Sequence, residues 1–244
     1  MKRRNQNSES NWVSFSDIMT GLMVIFMFIA ISYIIEAQKT NNRIATIIDD
    51  FLKTKEELHD ELKEEFEKDF KDWQVTLDKD LSIKFTNPDF LFETGKFEIR
   101  NDFSKILSEF LPRYFKILRQ EKYIDKISEI RIEGHTDTNA ARSFDQDPYI
   151  GNVLLSQRRA TEVMKFFTQS EYYNNLNSSE IERLQFLLTA NGLSFGRTVD
   201  EDFKLTFNSK QPIDMKNSKR VEFRIVTTSE KIVDEVKKLQ NESL

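Results

Sequence analysis

The sequence predicts a mixed α/β sandwich, of α+β or α/β type, carried behind one transmembrane helix and a long charged helix that pairs with a second copy as a dimeric coiled coil. Three observations predict it. Residues 18–35 carry no charge, residues 22–87 contain neither glycine nor proline, and beyond Trp73 strand-like and helix-like apolar patterns alternate as far as residue 227. The expected boundaries are a cytoplasmic tail at 1–11, the transmembrane helix at 12–35, an extracytoplasmic linker or coiled-coil helix at 36–73, the α/β domain at 74–228 and a C-terminal helical tail at 229–244.

The first element is the run from Ile18 to Ile35. At about 1.5 Å per residue a helix of this length nearly crosses a hydrocarbon core of about 30 Å. Lys2, Arg3 and Arg4 precede it with only Glu9 opposing them, and Glu36 opens an acidic stretch after it. The positive-inside bias therefore puts the N-terminus in the cytoplasm and the rest of the chain outside. A cleaved signal peptide is the competing reading, with Ala30-Ile31-Ser32 as a small-x-small site. The run is longer than the usual apolar region of about 7–15 residues, and Asp17 at its mouth is foreign to such a segment. Asp17 has two readings on physics alone. If residues 12–16 extend the helix, it is a costly carboxylate inside the bilayer, of the kind that marks an ion pathway; otherwise it is a helix-start residue at the positive end of the dipole. Ser14, Thr20, Gly21 and Val24 share its helical face, which is small and largely polar.

In the second element, Ile44, Ile48, Phe51, Leu58, Leu62, Phe66, Phe70 and Trp73 recur at steps of three, four or seven among charges. One apolar stripe on a solvated helix needs a partner. A parallel homodimer supplies one, with a stutter in the 58–70 spacing; a helix folded back onto the following domain supplies the other.

In the third, Leu81–Phe85 alternates like a half-buried strand and 101–118 has helical spacing, with Pro112 able to kink or shorten it. Strands are expected at 127–133, 186–190 and 220–227, and a helix from Gly151 or Asn152 to Phe167. The composition narrows the chemistry. Across 244 residues the net charge is −5, there is no cysteine, and the histidines are His59 and His135. A duplex-binding basic surface is not available, so nucleic acid is not an expected partner. Without cysteine or a second nearby histidine, Glu133, His135 and Asp137 form a poor transition-metal site, and no metal or cofactor is expected. No pair of acids is singled out as a hydrolase dyad, so the chain is not expected to be an enzyme.

Two sets of residues carry a family resemblance. The run from Trp12 to Met23, WVSFSDIMTGLM, resembles the single membrane helix of MotB-type stator subunits, and more closely that of the MotB-like subunits of Zorya anti-phage defence systems. In the distal domain, Phe90-Leu91-Phe92-Glu93-Thr94-Gly95 resembles the opening of the OmpA-like peptidoglycan-binding domain. Gly134-His135-Thr136-Asp137, the Asn152-x-x-Leu155-Ser156-x-x-Arg159-Ala160 pattern and Lys219-Arg220-Val221-Glu222-Phe223 resemble its later signatures, in the same order.

The resemblance implies that Asp17 is the proton-accepting residue, with Ser14, Thr20 and Gly21 as pore-facing support. It also implies that the distal domain holds peptidoglycan in the periplasm. Asp137 would take the ammonium of a diaminopimelate stem peptide and Arg159 its carboxylate, with Thr136, Asn152, Leu155, Ser156 and Arg220 supporting them. Spacing alone leaves Asp137 and Arg159 as a plain surface ion pair contributing about 0–1 kcal/mol. The implied partners are a ring of MotA-like or ZorA-like membrane subunits and a second copy of the chain, in the bacterial inner membrane. A flagellar stator subunit and a passive envelope tether stay open beside the defence motor, and sodium beside the proton. Two departures stand out: 17 residues separate Asp137 from Leu155, where the family has about ten, and 193–214 is a long polar stretch.

Overall fold

The computed structural model describes residues 6–86 and 88–228, apart from the side chains of 6–11, 13, 14, 88 and 89. The tail expected at 229–244, the first residues of the tail expected at 1–11 and the Ser14 side chain lie outside the described residues. The chain divides into two compact units, with the boundary between Phe51 and Leu52.

The first unit is formed by the early part of helix α1, Gln6–Phe66. It holds the one helix among the described residues that is long and apolar enough to cross a membrane, with an 18-residue window of mean hydropathy 2.5, none of it buried. Because α1 begins at Gln6, it takes in half of the expected tail, and Asp17 lies well inside the helix. The helix-start reading of Asp17 is thereby removed, since dipole stabilisation fades beyond the first turn. Asp17, Thr20 and Gly21 are exposed, as are the apolar side chains around them, and the Thr20 hydroxyl donates to the Ser16 carbonyl at 2.8 Å.

The second unit is Leu52–Thr228. Its sheet contains β1 (Val75–Leu77), β2 (Ser82–Phe85), β3 (Ile127–Gly134), β4 (Leu188–Gly192) and β5 (Val221–Thr227), in the order β1-β2-β5-β3-β4. Only β3 and β4 pair in parallel; the other pairs are antiparallel. The period-2 alternation of β3 and β5 sends Ile130, Ile132, Val221, Phe223 and Ile225 into the core. They meet helix α2 (Asn101–Leu118) and helix α3 (Pro148–Thr168), which contribute Phe103, Leu107, Phe110, Tyr114, Ala160, Val163 and Phe167. Pro112 does not end α2, because buried Phe110, Leu111, Tyr114 and Phe115 hold the helix on both sides of it.

Three expectations are corrected. Leu58, Leu62 and Phe66, assigned to a dimer seam, are buried in this core with Phe70 and Trp73 packed against them. The Phe66 ring lies 5.1 Å from that of Phe110, and Arg113 joins Glu65 at 2.6 Å and Asp69 at 2.7 Å. The far half of the apolar stripe thus finds its partner within the chain, and the domain starts at Leu52 rather than at residue 74. The strand expected at 186–190 begins at Leu188, because Phe186 and Leu187 close helix α4 (Ser178–Leu187). A capping box between Asn177 and Glu180 starts that helix, and buried Leu184 and Leu187 hold it. Finally, Leu81–Phe85 is buried throughout rather than on alternate residues, as Lys84 is covered on its polar side by Asp78 at 2.5 Å.

Candidate functional site

The parallel pairing of β3 and β4 and the packing of α3 over them create the site. Gly134 ends β3 where α3 crosses it so closely that a Cβ would meet the Ser156 carbonyl oxygen at 2.2 Å. At Gly192 it would meet the Gln157 nitrogen at 2.4 Å. Only glycine allows this approach at both strand ends. The chain leaving β3 then carries Thr136 and Asp137 alongside the residues that α3 projects. Asp147 caps α3, accepting from the amides of Tyr149 at 2.7 Å and Ile150 at 3.1 Å, and Pro148 occupies its first turn.

A cavity of about 130 Å³ opens there. Thr136, Asp137, Asn152, Leu155, Arg159 and Arg220, six of the seven residues expected at the distal site, line it together with Lys219 and the turn around Gly95. Gly95 takes φ +74°, which the turn requires, and a bridge between Phe92 and Ile99 closes that turn. The seventh, Ser156, lies behind the cavity wall: fully buried, it donates to the Asn152 carbonyl at 2.7 Å and accepts from the Ser194 amide at 3.1 Å. Asn152 ties α3 to the inserted loop, donating to the carbonyls of Asn139 at 2.8 Å and Pro148 at 2.9 Å.

Asp137 and Arg159 are both buried and share the cavity, yet no ion pair joins them among the described residues. The Arg159 guanidinium donates to the carbonyls of Lys96 at 2.9 Å and Glu93 at 3.3 Å, and lies 4.9 Å from the centre of the Phe92 ring. Burial pushes it down to about 10, partly opposed by the Asp137 charge, so it remains a cation at neutral pH. Asp137 accepts from the backbone amide of Asn139 at 3.0 Å and from its side chain at 2.8 Å, and Lys219 stands 3.3 Å away. The surface ion-pair reading is therefore replaced by a buried anion and a buried cation held apart, each oriented by other groups. Such a pair presents complementary charges to a zwitterionic head group.

Arg220 borders the cavity, but its guanidinium turns away to Glu222 at 2.6 Å and to the carbonyls of Ser218 and Arg197. Behind it lies a buried polar cluster. His135 stands 3.6 Å from Glu133 and 3.7 Å from Glu222, with both ring nitrogens lacking a hydrogen-bond partner among the described residues. Burial, and then the Arg220 charge, push the His135 imidazole down toward the neutral form. Burial would raise the Glu222 carboxyl, but the positive charge beside it, from His135 once acid protonates it and from Arg220 and Lys84, outweighs it and holds it down to about 2. The donor atoms nearest to a metal-ligand arrangement are thus those of Glu133, His135 and Glu222, with Glu222 in the place expected for Asp137. Arg220, Arg224 and Arg197 already face the two carboxylates, so a further cation would enter a surplus of positive charge.

The sequence motifs missed Lys219, Asn139 and the carbonyls of Glu93 and Lys96 as parts of the site. Lys219 had a signal, standing next to Arg220 in the closing motif.

No protein-family model matches the chain. It is 33% identical over 233 residues to the Zorya protein ZorB of Escherichia coli strain ATCC 8739, covering 94% of this chain and 93% of that protein. The Zorya protein ZorB of Escherichia coli O139:H28 strain E24377A is 24% identical over 200 residues, covering 80% of this chain and 76% of that protein. Among solved structures, a periplasmic domain of MotB aligns at 18% identity with a TM-score of 0.45, covering 66% of this chain and 70% of its own. The periplasmic domain of Helicobacter pylori MotB aligns at 19% and 0.43, covering 66% and 85%. The extent and identity of the match to the first of these relatives show that the chain belongs to the ZorB family of Zorya proteins.

Proposed function

We propose that the chain is the proton-accepting, wall-anchoring subunit of a MotA/MotB-type rotary motor in a Zorya anti-phage system. The observation that carries the reading is the joining of Asp137 and Arg159 in one cavity, in a chain where Asp17 is the one carboxylate between residues 10 and 35. The D-centre of diaminopimelate bears an ammonium and a carboxylate on one carbon; Asp137 takes the first and Arg159 the second. The fit is one of charge and position, and it needs no cleavage chemistry.

In the membrane, two copies place their Asp17 helices inside a ring of ZorA-like subunits, and Ile44, Ile48 and Phe51 pair the copies just beyond it. Basic residues before the apolar span at 18–35 and acidic ones after it support a cytoplasmic N-terminus and a periplasmic domain. Asp17 loads a proton from the periplasm and releases it inward, its charge alternately cancelled and restored. Each proton delivers about 2.3 kcal/mol per 100 mV of membrane potential, enough to drive stepwise rotation against a fixed anchor.

The test is co-sedimentation of the detergent-solubilised full chain with purified sacculi, alongside phage plating on cells carrying the complete system. Arg159→Ala is expected to weaken sacculus binding at least about tenfold. Unchanged binding would remove the anchor.

A further inference from the structure

The two halves of the cavity are not equally free. Arg159 bonds to backbone carbonyls and lies against the Phe92 ring, and no ion pair joins it to a carboxylate among the described residues. Asp137 is already provided for. Asn139 donates to both of its oxygens, the backbone amide to Oδ1 and the side-chain nitrogen to Oδ2, and the Lys219 ammonium stands 3.3 Å from Oδ2. The two partners differ in access: the Lys219 side chain is 35% exposed, against 6% for Asp137. Lys219 follows the single turn Met215–Ser218 and precedes β5, so its backbone is fixed while its head group reaches the cavity from the solvent side.

An amino-acid head group that gives its carboxylate to Arg159 turns its ammonium toward the Asp137 carboxylate, which Lys219 already faces. Two ammonium groups on one carboxylate repel each other, and the Asn139 nitrogens already take one hydrogen-bonding position on each oxygen. We infer that Lys219 is an internal stand-in for the ligand's ammonium, which the ligand must displace, and that it thereby sets the affinity and specificity of the cavity. The inference rests on the reading of the cavity as a diaminopimelate site. It predicts that Lys219 weakens binding, the opposite of a lysine that contacts the ligand's carboxylate.

The experiment measures the affinity of the full chain in nanodiscs for two synthetic stem peptides by calorimetry. One contains diaminopimelate; in the other 2-aminopimelate keeps the terminal carboxylate and lacks the ammonium. Displacing an ion pair with one partly exposed partner is a modest cost, so Lys219→Met is expected to bind the diaminopimelate peptide about fivefold more tightly than the unaltered chain. Lys219→Arg, whose forked guanidinium grips a carboxylate more firmly, is expected to bind it more weakly. Neither substitution should improve binding of the 2-aminopimelate peptide, a contrast that a general change in stability would not produce. If Lys219→Met binds the diaminopimelate peptide equally or more weakly while the unaltered chain binds it, the stand-in role is overturned and the site reading survives. If neither the unaltered chain nor the variants bind it, both fall together.

Discussion

His135 and Glu222 tie the stability of the distal domain to pH. The folded state holds the His135 imidazole below its ordinary 6.5, so unfolding takes up a proton as pH falls below that value. Its stabilising effect is complete above about 6.5 and declines with acidification, by at most about 1.4 kcal/mol per pH unit for one proton. Glu222 acts lower down: held at about 2 against an ordinary 4.5, it stabilises above 4.5 and loses that effect as pH falls toward 2. Thermal melting followed from pH 7 to 5 should therefore show a falling midpoint, and His135→Gln should flatten this limb and also shrink the decline below 4.5, because the His135 charge is one of those that hold Glu222 down. The same residues mark what the sequence made legible. Asp137 and Arg159 were picked out by the family motifs that contain them, since spacing alone left them as a plain surface ion pair. Lys96 and Glu93 were not, because they serve through backbone carbonyls, which any residue supplies. Lys219 was visible as a letter but not as a neighbour of Asp137, a contact across 82 positions that only the fold creates.

Among the elements, the crossing of α3 over the ends of β3 and β4 sets the distance between the two charged groups. Gly134→Ala places a methyl against the Ser156 carbonyl, and backbone cannot yield as a flexible side chain does. We expect it to destabilise the domain by about 1–3 kcal/mol and to weaken sacculus binding as well, with denaturation and co-sedimentation read on the same preparation. The end of α1 offers a second test. Leu62 is fully buried among domain residues, so Leu62→Ala should cost about 2–5 kcal/mol of domain stability, measured by chemical denaturation. A residue serving only a seam between copies would leave the domain's own unfolding unchanged. Periodicity located this stripe correctly but did not identify its partner, because an apolar face looks the same whichever surface covers it. The helix over 101–118 and the strand at 127–133 were legible for the opposite reason: strong periodicity and buried neighbours agree there. The strand expected at 186–190 failed at its start because Asn177 and Glu180 begin a helix that runs through Phe186.

For the whole molecule, the proposed roles of the two units separate cleanly under substitution. Asp17→Asn should leave membrane insertion and sacculus binding intact while abolishing protection in a phage-plating assay. Asp137→Asn should lose sacculus binding yet leave the chain able to assemble with its membrane partner, as read by co-purification. Full protection by Asp17→Asn would reduce the chain to a passive tether. The placement of Leu58, Leu62 and Phe66 has a practical consequence for anyone dissecting the protein. A soluble fragment cut at residue 74, the natural choice from the pattern of strands, would leave a hydrophobic trench lined by Phe110 and its neighbours and should aggregate. One beginning near Leu52 keeps its own cover and is the piece to express.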